Sequence, residues 1–184
     1  MGLLRLIGLR KGNGHERAGF ELYGAAVAAA RDPLLYARLG APDTLDGRFD
    51  LIAIYAFLVI HRLKALPEPG PALAQAVFDA MFSDMDISLR EIGVSDLRIG
   101  KRVRAMWEAF HGRAKAYGEA LDAGDHAALE AALARNVWRG APPDGAPALL
   151  ARLVLAQAAR LAGQDLAALA AGEVRFLPAE EAAQ

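Results

Sequence analysis

Residues 51–60 read Leu51-Ile52-Ala53-Ile54-Tyr55-Ala56-Phe57-Leu58-Val59-Ile60, the longest unbroken apolar run in the chain. Ten residues fall well short of the ~18 that a membrane span requires. The run therefore belongs inside a soluble domain. Polar residues bound it: Asp46, Arg48 and Asp50 before, His61, Arg62 and Lys64 after. A helix is predicted from Asp46 or Arg48 to Leu66. It is apolar on nearly every side through its middle, so it should be the most buried helix, at the centre of the fold.

Helix signals surround this segment, and strand signals are nearly absent, with no alternating run between turn dipeptides. Upstream, Gly19 to Arg31 reads as a helix with Leu22, Ala26 and Ala29 or Ala30 on one face. Asp32-Pro33 is a cap followed by proline at the first helical position, opening a short helix that stops at Gly40. Downstream, Pro67, Pro69 and Pro71 form a stiff connector. A fourth helix follows to about Ile92, with Gly93 placed to end it. Ser95 or Asp96 caps a fifth, reaching about Ala123. Gly124-Asp125 then stops one helix and caps the next, His126 to Trp138. Gly140 to Pro147 is the clearest boundary. Beyond it lie a helix over Ala148–Leu161 and a shorter one restarting at Gly163-Gln164-Asp165. Glu180 to Gln184 should fray. The expected organisation is an N-terminal segment (1–18), a helical core (19–139), and a linker with a C-terminal helical extension (140–184). The fold class is all-α, with six to eight helices in a single domain.

Composition narrows the function classes. The chain has 184 residues, a formal net charge of −1 and no cysteine. Absence of cysteine removes disulfide frameworks, Cys-type zinc sites, iron–sulfur clusters and thiol nucleophiles. It fits a reducing, cytoplasmic setting. The near-neutral charge gives no case for DNA binding. Apolar residues make up 54% of the chain, but 41 are alanines, which favour helix and bury little area. The core rests on Leu, Ile, Val, Phe and a few Met.

Candidate sites are few. No two of His15, His61, His111 and His126 lie four apart, and no HExxH, GxSxG, Walker A or EF-hand loop occurs. His61 and His111 read as hydrogen-bonded helix residues before they read as ligands. Gly12-Asn13-Gly14 lacks the third glycine and the preceding strand of a dinucleotide site. Asp84 and Asp86 are about 200° apart on a helix and do not converge on a metal. Asp86 instead suits an ion pair with Arg90, four residues on. From Arg90 to Lys115 seven basic residues stand against three acids. That excess marks either a solvated face or a basic surface for RNA, a ribosome, anionic lipid or an acidic partner. The spacing of Val103, Met106, Trp107 and Phe110 puts all four on the buried face. Met81, Met85 and Met106 either fill the core or offer an adaptable apolar surface. Met1 to Lys11 mixes leucines with Arg5, Arg10 and Lys11. Residues 1–11 can lie on an anionic membrane surface or pack on the body.

Two stretches resemble a known family. The first is Asp43-Thr44-Leu45-Asp46-Gly47-Arg48-Phe49-Asp50. The second runs Phe78 to Asp86, then Leu89-Arg90-Glu91-Ile92-Gly93-Val94, then Gly100-Lys101-Arg102-Val103, ending near Gly112 to Tyr117. Together, over about Leu22 to Leu121, they resemble the ubiquinol–cytochrome c chaperone family. Two positions depart from that family's pattern. A histidine is expected around Tyr55 and a glycine where Ser95 stands. The start of the first helix near residue 19 leaves no room for a long mitochondrial presequence, which fits a bacterial member.

The resemblance implies a non-enzymatic assembly chaperone for the cytochrome bc1 complex, without a cofactor. It would hold newly made cytochrome b, with a ribosome or a small helical partner protein as further contacts. It would be cytoplasmic or peripheral to the inner membrane. The residues expected to meet partners are Asp43, Asp46, Arg48, Asp84, Met85, Asp86, Arg90, Glu91, Lys101, Arg102 and Arg113. Two other classes compete: a helical carrier or enzyme binding haem or quinone through His61 or His111, and a peripheral membrane adaptor using residues 1–11.

Overall fold

A computed structural model describes residues 3–183, with side chains from Gly14 onward. The chain runs α1 (Leu3–Ala30), α2 (Pro33–Ala37), α3 (Leu45–Lys64), α4 (Gly70–Glu91), α5 (Asp96–Ala123), α6 (His126–Val137), α7 (Ala146–Ala162), α8 (Leu166–Ala170) and α9 (Ala179–Ala182). The fold is all-α, as expected. The ninth helix is a single turn. No helix among the described residues is long and apolar enough to cross a membrane.

The apolar run sits where its composition demands. Fourteen of the twenty α3 residues are buried, including every residue from Phe49 to Ile60. Helices α1, α4, α5, α6 and α7 pack around it. The start of α3 is set locally. The Thr44 hydroxyl accepts the Gly47 N–H at 3.1 Å, satisfying one of the free donors of the first turn. Gly47 is required there, because a Cβ would overlap the Pro42 carbonyl.

Other caps follow the sequence. Asp32 accepts the Leu34 N–H at 2.9 Å with Pro33 opening α2. Gly124 is left-handed (φ 64°), and Asp125 accepts the Ala128 N–H at 2.9 Å. On α1, Leu22, Ala26 and Ala30 are fully buried. A Cβ at Gly19 would come within 2.6 Å of the Ala76 backbone. Small residues thus let α1 and α4 approach closely.

Three expectations need correction. Helix α1 begins at Leu3, not near Gly19. Glycines at 12, 14 and 19 weaken a helix by about 1 kcal/mol each without ending it, and no proline intervenes. The membrane reading of residues 1–11 lies outside the described side chains. Trp107, expected in the core, is 45% exposed. In the amino-terminal half of α5 only a narrow stripe is covered (Ile99 fully, Val103, Met106 and Ala109 partly), while Phe110, Tyr117, Gly118 and Ala120 are buried further along. Trp107 lies beside that stripe and stacks on His111, ring centroids 3.8 Å apart.

The third correction concerns the C-terminus, which is docked instead of frayed. The buried Gln157 side chain donates to the Leu177 carbonyl at 2.7 Å and accepts the Leu177 N–H at 2.9 Å. Gln164 does the same with Arg175, at 2.8 and 2.9 Å. Each side-chain amide thus acts like a strand partner for the chain passing over α7. Phe176 meets Tyr55 of α3 edge-on at 5.1 Å. The Asp32 carboxylate also accepts the Ala179 N–H at 3.3 Å. Ala182 and Ala183 are buried, their small side chains fitting close against the body.

Gln157→Ala leaves a backbone N–H and C=O unpaired in a part-buried site. It should cost about 1–3 kcal/mol in urea denaturation. Gln164→Ala, at a solvated position, should cost less. No loss in Gln157→Ala would show that the strap is not held at Gln157.

Candidate functional site

Helix α5 is flanked by two grooves. The first lies between its amino-terminal half and the start of α3, with a volume of about 560 Å³. Ala105 and Ala109, one turn apart, line it with Phe49 and Met106. Five cations surround them: Arg98, Lys101, Arg102, Arg113 and Arg139.

Asp50 organises this groove. It sits at the head of the apolar run and is 1% exposed. Its Oδ1 lies 2.6 Å from Arg113 Nη2, and its Oδ2 2.7 Å from Arg139 Nη1. Burial pushes the Asp50 carboxyl above the ordinary carboxylate range, against the pull of both guanidinium groups. Arg113 is itself mostly buried, and its Nε and Nη1 lack hydrogen-bond partners. Its guanidinium carbon lies 5.5 Å from the Phe49 ring centre. Arg139 has a left-handed backbone (φ 57°), unusual for a residue with a Cβ. It also donates to the Asn136 carbonyl at the end of α6. The ion pair thus joins the head of α3, the middle of α5 and the end of α6. Tyr117, one turn along α5 from Arg113, accepts a hydrogen bond from Asn136 at 3.1 Å. Burial pushes its hydroxyl up to about 12.

The residues singled out from sequence divide among several places. Asp46, Lys101, Arg102 and Arg113 meet in this groove, with Asp46 and Arg102 paired at 3.0 Å. Asp43 and Arg48 pair at 2.6 Å and line a separate depression beside Tyr36. The Arg48 guanidinium holds the Asp43 carboxyl below its usual range. Asp84 accepts the Tyr23 hydroxyl at 2.7 Å and ties α4 to α1. Arg90 bridges Asp86 at 2.7 Å and Asp96 at 2.8 Å across the α4–α5 corner. Glu91 is exposed on the last turn of α4.

Met85 and Met81 are core residues, 6% and 0% exposed. Their spacing along α4 turns both inward, so Met85 is not available to a partner. Of the three methionines, Met106 alone reaches the groove.

Asp50 and Arg139 were not among the expected site residues. An acid directly abutting a ten-residue apolar run is a signal for a buried, paired carboxylate. Nothing local pairs it with an arginine 89 positions away.

The second groove, of about 610 Å³, lies between α3, α4 and α5. Phe57, Phe78, Trp107 and Phe110 line it with both His61 and His111. His61 Nε2 is 3.1 Å from Asp122. His111 Nδ1 is 2.9 Å from the Trp107 carbonyl. Since a carbonyl only accepts, that nitrogen carries the proton. No three His, Cys, Asp or Glu converge as a metal site among the described residues.

Comparison with known proteins converges on one family. The model described as ubiquinol-cytochrome C chaperone matches residues 37–176. The mouse ubiquinol-cytochrome c reductase complex assembly factor 1 is 26% identical over 168 residues, covering 89% of this chain. The chain spans 56% of that relative's length. A crystal structure of the Cbp3 homolog from Brucella abortus matches with a TM-score of 0.84 and 36% identity, over 97% of this chain and 99% of that one.

Asp50→Asn should destabilise the fold by about 3–5 kcal/mol, because it strands a buried guanidinium. Combining it with Arg113→Met should restore more than half of that loss in urea denaturation. Asp43→Asn, at an exposed pair, should leave the midpoint unchanged. A near-neutral Asp50→Asn would show that the network does not hold the three helices together.

Proposed function

This chain belongs to the ubiquinol-cytochrome C chaperone family, and we propose that it is a non-enzymatic chaperone for assembly of the cytochrome bc1 complex, with newly made cytochrome b as its client. The match to the family model over most of the chain carries the reading. The name of the mouse assembly factor supports it. Contacts with a ribosome or a small helical partner protein, and a place beside the inner membrane, belong to the same proposal.

The groove beside α5 is the surface best suited to a client. It has an apolar floor, a flexible methionine and an unbalanced set of cations. Those features suit reversible contact with a membrane subunit before its own partners arrive. The geometry also ranks the charges for testing. Arg90 bridges two carboxylates, so reversing it disturbs the α4–α5 corner itself. Arg98 and Lys101 are exposed and take part in no ion pair among the described residues.

A deletion strain should lose bc1 complex several-fold, measured by reduced-minus-oxidised haem b spectra of membranes. The intact gene should restore it. R98E/K101E should not, while the purified variant keeps its helical circular dichroism. Normal bc1 levels in the deletion strain would overturn the reading.

The aromatic groove favours a second reading, because both histidines suspected as ligands line it. A haem or quinone carrier would use that groove. Titration with haemin and with a soluble ubiquinone analogue should then quench Trp107 saturably and shift the haemin absorbance. His111→Ala should abolish both effects. No saturable change, or one indifferent to His111, would dismiss it.

A further inference from the structure

Resting on the chaperone reading, we propose that the groove between α5 and the start of α3 receives a helical, largely apolar segment bearing carboxylate side chains. The argument begins with charge. Five cations face two carboxylates in the groove, Asp46 and Asp50. Asp50 is shared between Arg113 and Arg139, and Asp46 engages Arg102. Arg98 and Lys101 are exposed and have no ion-pair partner among the described residues. The groove is thus positive within a chain whose overall net charge is −1. Its cations are gathered around a hollow instead of spread along a face.

The floor selects the shape of the occupant. Ala105 and Ala109 present only methyl groups one turn apart on α5. Small residues at that spacing let a second helix come close. Phe49 and Met106 supply apolar walls. A polyanion such as nucleic acid gains nothing from such a floor and meets the two acids within it. An apolar helix carrying one or two carboxylates uses both the floor and the cations. Its carboxylates would complete charges that the fold leaves unbalanced.

The test uses the full chain and three fluorescein-labelled helical peptides of one leucine–alanine sequence. They carry Glu, Gln or Lys at two positions one turn apart, and binding is read by anisotropy at low and physiological salt. The Glu peptide should bind about tenfold more tightly than the Gln peptide, with the advantage shrinking as salt rises. The Lys peptide should bind least. R98E/K101E should reverse the order and favour Lys, a gain that a merely unfolded variant does not show. Equal binding of Glu and Gln peptides would overturn the proposal, as would an order unchanged in R98E/K101E. Capture by phosphatidylglycerol vesicles lost in R98E/K101E, with no peptide binding, would also overturn it in favour of a lipid surface. The two levels separate cleanly. A bc1 defect on deletion without Glu preference removes this occupant and leaves the chaperone reading. Glu preference with normal bc1 does the reverse.

Discussion

A helix without a polar face has to be covered on every side, and α3 imposes that requirement on the rest of the chain. Each fully buried aliphatic or aromatic side chain contributes about 1.5–3 kcal/mol. From Leu51 to Ile60 there are eight such residues besides the two alanines. No single neighbour can cover them. Hence α1 and α4 close one side with small-residue contacts, α5 and α6 another, and α7 with the tail strap the remainder. The strap is part of this logic. Phe176 reaches Tyr55 at the middle of α3, so the C-terminal residues complete the cover.

The cover ends where α3 becomes polar. At Asp50 the helix meets its first buried charge, and the packing changes from apolar contact to ion pairing. A carboxylate between two guanidinium groups in a buried site is costly to assemble and costlier to break. Such a network contributes little net stability. It does fix the relative placement of α3, α5 and the end of α6, because Asp50 meets Arg113 and Arg139 at once, at 2.6 and 2.7 Å. Arg139 illustrates the constraint: it holds a left-handed backbone while spanning both Asp50 and the Asn136 carbonyl. A rigid frame around an open groove is what a binding surface requires. It lets the remaining cations face solvent at defined positions without being recruited into the core.

What could be read from the sequence was local. The caps at Asp32-Pro33 and Gly124-Asp125, the central place of α3 and the Asp86–Arg90 pair all follow from spacing within a turn or two. The family resemblance was also legible, because Asp43 to Asp50 and Phe78 to Tyr117 are contiguous patterns. The groove was legible only in part. Asp46, Lys101, Arg102 and Arg113 stood out as charges, but their convergence depends on how α5 lies against α3. Asp50 and Arg139 escaped because their pairing is purely tertiary. Trp107 was misplaced because periodicity says which residues share a face, not how much of that face a neighbour covers. The docked tail was hidden because its attachment is by glutamine amides to backbone groups, a contact with no hydrophobic signature.

The amino-terminal half of α5 carries the same argument from local structure to surface. Its helical state is supported within the helix, by Asp96 in the first turn and by the Arg104–Glu108 pair at 3.0 Å. Its attachment to the body is slight. Ile99 is fully buried and Val103 and Met106 are partly covered, while Leu97 is 97% exposed. A Cβ at Gly100 would meet nothing, so that glycine weakens the helix by about 1 kcal/mol with no packing gained inside the molecule. Tertiary burial normally supplies most of a helix's stability. Here a helix holds itself up largely by its own side chains and presents alanines, cations and a bare leucine outward. Contacts that the fold does not complete internally are left for another molecule, and they concentrate where the sequence departs most from its alanine-rich background.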